Sequence, residues 1–490
     1  MTLPFVKESD GMKHEKAVNE LPSVWMALIP IVFMGASLAL GIGVYGADPH
    51  VPLLLSTVVA VMVALKLGHS WKSIEEDISK TIAVSIKALL ILVIIGAFIG
   101  AWMAAGIVPS MIYYGIGILS PTYFLVTACI ISVLVSMAGN AWFAAGTIGV
   151  ALMGIGQGLG IPLPMVAGAV VSGVYFGDKM SPLSDVTNFT SAVVGVDLFE
   201  HIRNLMNTTV PTLIISLLLY TLLGLKFHGE HADLSMAANV QNILSEHFTI
   251  SPWLLAPLIF IFLIFALKIP AIPGLSVGVL IGAIIAIFVQ HISLGNMLSI
   301  MNNGFSTETG NNVTDELLNQ GGIQSMMYTV SLILIALSFG ATLEKARVLE
   351  AILGGMLRKI KRTGSLIGAT AATCITSNIV GCDQFMSVVI PGRMYLNEYK
   401  KRGFHPKLLG RTLEDCGTVT ACLLPWTTCG IFMFSVLKVS ALDYAPYAFF
   451  CYISTLVAIT YGYLNIRINR LPAEEQKITI DQTENSTVTT

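Results

Sequence analysis

From Ala88 to Gly177 the chain runs for 90 residues without a single Asp, Glu, Lys, Arg or His. At the chain's own 11% of charged residues, about ten charges would fall in a stretch of that length. A fold in water has too little interior to hide such a segment, whereas a bilayer accepts it. Within hydrocarbon every backbone N–H and C=O must be satisfied inside the protein. That leaves helices or a closed barrel, and no alternating barrel pattern is present. The whole chain agrees: 54% of its 490 residues are hydrophobic, and 11% charged compares with roughly 25% in soluble domains. The expected class is an all-α polytopic membrane protein.

The same composition excludes other classes. With 27 Lys and Arg against 29 Asp and Glu, no basic field exists to bind nucleic acid. The seven cysteines lie almost entirely in apolar stretches without a CxxC pair, so they read as small packing residues rather than disulfides. The first 23 residues are polar and charged, and the first apolar run, 24–43, is long enough to span, so no cleavable signal is expected.

Apolar runs of spanning length fall near 24–43, 51–65, 88–105, 205–225, 252–268, 271–290, 327–343 and 445–466, with interrupted apolar stretches at 122–200 and 364–437. Short cytoplasmic loops retain Lys and Arg. One topology places 24 of the 27 cations inside, leaving Lys226 and Lys438 outside and Lys179 at membrane depth, with both termini cytoplasmic. The segments 68–87 and 344–362 mix charge with helical apolar spacing and read as helices on the cytoplasmic surface. The region 106–121 and the loop 291–326, which has no Lys or Arg, are assigned outside.

Two segments do not fit full crossings. Residues 364–392 are flanked on both sides by basic loops and carry Ser377, Asn378, Gly381, Cys382, Asp383 and Gln384 near the centre. About 29 residues make two half-length helices, which predicts a re-entrant hairpin. Residues 122–158, with Gly139 and Asn140 near the middle, predict a second hairpin entering from the opposite face. A shift of 243 residues aligns Asn140 with Asp383, Gly149 with Gly392 and Pro182 with Pro425. The charge count gives these copies opposite orientation, the pattern of an inverted repeat.

Each hairpin precedes an apolar segment broken by polar residues. Gly177-Asp178-Lys179-Met180-Ser181-Pro182-Leu183-Ser184-Asp185 interrupts 161–200, and Leu424-Pro425-Trp426-Thr427-Thr428-Cys429-Gly430 interrupts 405–437. Proline removes a backbone donor and glycine permits unwinding, so carbonyls and half-helix ends are freed near the midplane. The expected organisation is therefore 1–23 cytoplasmic; 24–87 two helices and a surface segment; 88–225 the first repeat half; 226–290 a connecting segment with two helices; 291–326 an outside loop; 327–466 the second half; and 467–490 a disordered cytoplasmic tail.

Asp178, Asp185 and Asp383 sit where a charge costs a few kcal/mol to insert, and buried ionisable groups in spans mark ion or proton paths. Each also admits a bland reading: Asp178 as counter-charge to Lys179, Asp185 and Asp383 as helix caps. A buried carboxylate binds a proton more readily and, ionised, is a hard oxygen ligand, so proton and sodium compete for it. The surrounding inventory is all oxygen or amide: Asn140, Ser181, Ser184, Thr187, Asn188, Ser377, Asn378, Thr427 and Thr428. Glu414 and Asp415, after Arg411, read as a salt-bridged cytoplasmic mouth or a relay. The nine histidines lie in loops or near span ends, which disfavours haem, zinc and Ser-His chemistry. An intramembrane aspartyl protease is the remaining enzyme alternative.

The stretch Gly177 to Asp185 with Thr187-Asn188 and Asp197-Leu198-Phe199 resembles the signature of the NhaC sodium/proton antiporter family. So do Gly146-Thr147-Ile148-Gly149, Ile155-Gly156-Gln157-Gly158-Leu159-Gly160, Asp383-Gln384 with Pro391-Gly392-Arg393-Met394, Arg411-Thr412-Leu413-Glu414-Asp415, and Pro425-Trp426. The resemblance covers nearly the whole membrane region. It implies a sodium-driven antiporter of the bacterial cytoplasmic (inner) membrane, in a superfamily whose members include malate and lactate exchangers. The chain departs from the family pattern where Thr-Gly-Ser-Ser-Trp-Thr-Thr is replaced by Ala138-Gly139-Asn140-Ala141-Trp142-Phe143-Ala144. It departs again where Ser-Pro-Leu-Ile-Pro-Trp-Asn is replaced by Ala421-Cys422-Leu423-Leu424-Pro425-Trp426-Thr427, and at Val186, where the family has Thr. Several hydroxyls are thus lost while the three aspartates remain.

The resulting expectation is a secondary transporter exchanging Na+ and H+ by alternating access. Asp178 and Asp383 are its sodium ligands, supported by Asp185, Asn140, Asn378, Ser181, Ser184, Asn188, Ser377, Thr427 and Thr428. The second expectation adds a small organic solute, a carboxylate or amino acid, to the same sodium site. No cofactor is expected beyond the transported ions. The expected partners are Na+, H+ and lipid, with a homodimer allowed.

Overall fold

The computed structural model describes residues 21–227, 234–267, 269–353 and 362–472. The expected N-terminal segment up to residue 20, Lys268, the basic residues within 354–361 and the tail from 473 lie outside the described residues. Among the described residues the fold is all-helical, with one isolated bridge between Phe404 and Arg470. Seven helices are long and apolar enough to cross a membrane, or up to ten if each of three bent pairs counts as one crossing. The chain is a multi-pass membrane protein.

The helices before the first hairpin are α1 Val24–Gly43, α2 His50–Lys66, α3 Trp71–Ala104 and α4 Ile107–Ile118. Ser70 caps α3 by accepting from the Ser73 N–H, and nothing breaks the helix before Ala104. Its 34 residues extend about 51 Å, well beyond a hydrocarbon core of about 30 Å. The expected surface segment 68–87 is therefore no separate element, because its charges change the helix's surroundings without giving it a stop signal. The region 106–121, expected outside, carries α4, whose first turns are fully buried.

The first hairpin is α5 Pro121–Ala138 and α6 Ala141–Gly158, α6 containing a π-helical turn at Ala145–Gly149. The first broken helix is α7 Leu163–Met180 followed by α8 Asp185–Val194, and α9 Leu198–Gly224 comes next. Gly173 and Gly177 on α7 let it lie directly on α5. A Cβ at these positions would meet the Cys129 carbonyl oxygen at 2.3 Å and that of Val133 at 2.5 Å. The Ser136 hydroxyl donates across the same seam to the Val174 carbonyl at 2.6 Å.

The connecting region holds α10 Leu234–His247, α11 Ala256–Ala266 and α12 Ala271–Phe288. The expected outside loop 291–326 instead forms α13 Leu294–Asn303 and α14 Asn312–Leu318 and packs against α3. The Gly322 N–H donates to the Gly96 carbonyl at 2.6 Å, and a Cβ on Gly96 would sit 2.4 Å from the Gly322 oxygen. Gly321 and Gly322 both adopt positive φ, so this close backbone approach depends on glycine. Absence of cations suggested a side for the loop and gave no sign of its packing.

After α15 Ile323–Lys345 and α16 Val348–Leu353, the second hairpin is α17 Thr363–Gly381 and α18 Met386–Lys401. Its limbs, about 28 and 24 Å long, are not the half-length helices expected. The helix runs past Gly392 through Arg393 because neither stops it. Thr373 and Thr370 on α17 hydrogen-bond the Tyr395 and Tyr399 hydroxyls of α18 at 2.9 and 3.2 Å, clamping the limbs together.

The second broken helix is α19 Pro406–Leu423, π-helical over Glu414–Thr418, and α20 Thr428–Leu437, bent by 49° at the break; α21 is Phe449–Leu464. Residues 467–472, expected to begin a disordered tail, are anchored instead: the His405 N–H donates to Asn469 and the Leu471 N–H to Gly403.

Each hairpin tip packs against the restart of the other broken helix. Trp142 at the first tip stacks on Phe432 of α20, centroids 4.4 Å apart and planes at 9°. Phe189 of α8 packs edge-on against Phe385 at the second tip, 5.1 Å away. These pairs are counterparts under the 243-residue shift: 142 maps to 385 and 189 to 432.

Candidate functional site

Pro182 supplies no backbone donor, so the first broken helix stops after Met180, and Ser184 restarts it by capping the Thr187 N–H at 3.3 Å. Asp178 in the last turn of α7 and Asp185 in the first turn of α8 therefore flank the break. Hairpin tip one closes onto the same place. Asn140 caps α6 by accepting from the Phe143 N–H at 2.8 Å, and the Ala141 N–H, without an intrahelical partner at a helix start, donates to Asp178 Oδ1 at 3.2 Å. The positive end of α6 thus faces a carboxylate. Ser181 ties the break to the tip by donating to the Gly139 carbonyl at 3.2 Å.

Asn140, Trp142, Asp178, Ser184 and Asp185 line a cavity of about 60 Å³ together with Gln384 and Phe385 of the second tip. This is room for about two water molecules or a small ion. A larger cavity of about 490 Å³, lined by Lys87, Leu183, Ile272 and Pro273 among others, shares Asn140 and Asp185 with it. Asp185 is exposed and faces both spaces.

Asp383 lies at the second tip and is almost wholly buried. Its Oδ1 accepts from the Phe385 N–H at 2.8 Å and its Oδ2 from the Thr428 hydroxyl at 2.9 Å, while the Thr428 N–H donates to the Cys382 carbonyl at 2.9 Å. Cys382 itself takes a positive φ of 56°, which turns the chain at this tip. Asn378 donates to the Gly417 carbonyl at 2.7 Å and the Thr420 hydroxyl at 3.1 Å. Its Oδ1, like the hydroxyl of Ser377, is buried without a hydrogen-bond partner.

Other expected ligands have local structural work. Asn188 is exposed and donates to the Pro182 and Ser184 carbonyls. Thr427 caps α20 and donates to Ala421 and Leu424. Thr187 reaches the carbonyls of Asp178 and Lys179.

Sequence reasoning missed a buried charge network. Lys179 does not pair with neighbouring Asp178: its ammonium bonds Asp415, 236 positions away, and both side chains are at most 1% exposed. Asp415 Oδ1 also accepts from Thr208 and Ser454 at 3.0 and 3.1 Å. The expected cytoplasmic mouth at Glu414 and Asp415 is thus a buried crossing of α7, α9, α19 and α21. His201, expected near a span end, is buried beside Glu414. The isolated Lys179 within an apolar segment was the signal that a distant acidic partner exists.

A model of the Na+/H+ antiporter family matches residues 173–466, which include the break of the first broken helix, the second hairpin and the second broken helix. The chain belongs to the Na+/H+ antiporter family. Such a family member is a transporter, not an enzyme, so the aspartyl protease alternative falls. The chain is 40% identical over 454 residues to the Na(+)/H(+) antiporter NhaC of Alkalihalophilus pseudofirmus, covering 91% of this chain and 97% of that protein. It is 36% identical over 412 residues to a malate-2H(+)/Na(+)-lactate antiporter of Bacillus subtilis, covering 84% and 88%. It is also 35% identical over 458 residues to the arginine/ornithine antiporter ArcD of Halobacterium salinarum, covering 93% and 94%. The last two names indicate that this antiporter scaffold also serves organic solutes in relatives.

Proposed function

We propose that this family member exchanges sodium for protons across the bacterial cytoplasmic membrane, both termini inside, by alternating access, with Asp178 and Asp383 as the ion-carrying carboxylates. The observation that carries this reading is the convergence of the first tip, the first break and Gln384–Phe385 of the second tip on a cavity of ion size beside Asp178. An empty, ionised carboxylate is costly to move through hydrocarbon, so each reorientation carries sodium or a proton.

The halves 88–225 and 327–466 are read as an inverted repeat with re-entrant hairpins. Support comes from the reciprocal Trp142–Phe432 and Phe189–Phe385 contacts. Under the same shift Asn140 corresponds to Asp383 and Asp185 to Thr428. Each tip with its helix restart then holds one carboxylate and one neutral oxygen ligand, the carboxylate sitting on opposite members of the pair. Asp185 thereby gains a direct role rather than a supporting one.

A second reading, sodium-coupled movement of an organic carboxylate or amino acid, is favoured by the 490 Å³ cavity. Its volume suits a small molecule, and its lining includes Lys87 and Asp185 of opposite charge. Proteoliposomes separate the two. Sodium addition should collapse an imposed pH gradient with no organic solute present, and an absolute requirement for a solute would favour the second reading.

A further inference from the structure

The exchange described above makes no use of Glu414 and His201. Glu414 opens the π-helical turn of α19, where Thr418 donates to its Oε2 at 2.8 Å. Its Oε1 has no hydrogen-bond partner and lies 3.7 Å from Nε2 of His201, whose two ring nitrogens are likewise without partners. Both side chains are at most 1% exposed. The imidazole, in the first turn of α9, fits against Gly410, where a Cβ would stand 2.9 Å from its Cε1.

The other charges around the pair are already engaged. Lys179 is bonded by Asp415, the Arg411 guanidinium donates to the Arg467 carbonyl at 3.0 Å, and Asp178 faces the tip of α6. His201 is therefore the group left to answer Glu414. A buried carboxyl oxygen and a buried ring nitrogen that face each other without partners, here Oε1 and Nε2, are both satisfied by a single proton held between them. With one proton the pair is a neutral acid beside neutral imidazole, or carboxylate beside imidazolium, and has no net charge in either form. Losing that proton leaves a lone carboxylate, and gaining a second leaves a lone imidazolium near Lys179. Both are costly at this depth.

We propose that Glu414 and His201 form a proton-binding site, separate from the aspartates at the breaks, whose occupancy sets the pH range of transport. The site stands on its own geometry, and only its effect on transport rests on the exchange reading. The pair titrates as one unit, so its midpoint belongs to both groups.

Two measurements test it. In pH-difference infrared spectra of purified protein in nanodiscs, Glu414→Gln should remove one titrating carboxyl signal, and His201→Gln should move its midpoint by on the order of one pH unit. Glu414→Asp, which keeps the acid if the amide does not fold, should retain the signal. In proteoliposomes both single variants should displace the pH profile of sodium-driven proton flux, and the double variant should move it no further than the larger single effect. Unchanged infrared titration would overturn the site. Additive displacement, or profiles that superpose after scaling of the rate, would show independent or merely structural residues and overturn it equally. Absence of sodium-driven flux in the unaltered protein would refute the exchange reading, and the infrared titration would still decide the site.

Discussion

Breaking the Lys179–Asp415 pair from one side only is the most direct test of how the two broken helices are joined. Both side chains are out of contact with solvent, so Lys179→Met leaves Asp415 charged and buried, with the hydroxyls of Thr208 and Ser454 as its remaining donors. Removing one partner of a buried pair costs about 3–5 kcal/mol, most of it the penalty of the stranded charge. The two remaining hydroxyl bonds offset part of this, which places the expected loss near the lower end, about 3 kcal/mol. Asp415→Leu strands the ammonium, which keeps only the Ser454 hydroxyl at 3.5 Å, so its loss should be at least as large. The double variant Lys179→Met, Asp415→Leu removes both charges and should lie within about 1.5 kcal/mol of the unaltered protein, because apolar pairs of similar volume replace buried ion pairs with little loss.

Denaturant or thermal unfolding of the purified protein, followed by tryptophan fluorescence and size exclusion, closes this double-mutant cycle. A coupling energy of several kcal/mol is expected. Additive losses, or a Lys179→Met variant as stable as its parent, would refute the claim that the pair bridges the broken helices. They would also return Asp178 as the counter-charge of Lys179.

Asp383→Asn should abolish sodium-dependent proton movement while the protein still elutes as a folded species, and intact exchange in this variant would remove Asp383 from the mechanism. Thr428→Val deletes the hydroxyl that bonds Asp383 Oδ2 and should raise the sodium concentration for half-maximal exchange several-fold, read from titrations in proteoliposomes. Gly177→Leu should abolish folded expression, since even its Cβ would lie 2.5 Å from the Val133 carbonyl oxygen; Gly195→Ala, at a position with open space but positive φ, should cost only about 1 kcal/mol. Single cysteines at Arg362 and Lys401, exposed at the two feet of the second hairpin, should both be labelled from the cytoplasm, and labelling from opposite sides would make this segment a crossing pair.

The breaks at Pro182 and Pro425 and the hairpin tips were legible because their causes are local: a missing donor, a glycine, a capping side chain. Where the outcome depends on partners far along the chain, local signals fell short. The pairing of Lys179 with Asp415 and the burial of His201 beside Glu414 involve separations of 236 and 213 residues, and no periodicity encodes them. The continuity of α3 was hidden for another reason. A change from charged to apolar composition at Lys87 marks where water ends, and a helix ignores that boundary when no proline or glycine stands at it. For the expected ligand set, the structure adds local bonding that the sequence pattern did not show. Asn188 and Thr427 satisfy nearby carbonyls, as hydroxyl and amide side chains at helix restarts commonly do.

The different fates of two adjacent residues, Asp178 and Lys179, bear on the mechanism. A lysine directly beside an ion-carrying aspartate would favour the ionised carboxylate and hold it out of competition for protons. Here the helix turns the two side chains apart. Lys179 is neutralised by Asp415 on the far side of α7, while Asp178 faces the tip of α6 and the small cavity. The Lys179–Asp415 pair thus joins the two broken helices, and on the proposed reading of Asp178 it shields that aspartate from the ammonium by a second carboxylate. On this reasoning Asp415→Asn should do more than destabilise: the released charge of Lys179 should bias Asp178 toward its ionised form and move the pH profile of sodium-driven exchange to more acidic values. An unchanged profile in a folded Asp415→Asn protein would mean that Lys179 does not act on Asp178 at all, and the shielding role assigned to Asp415 would be wrong.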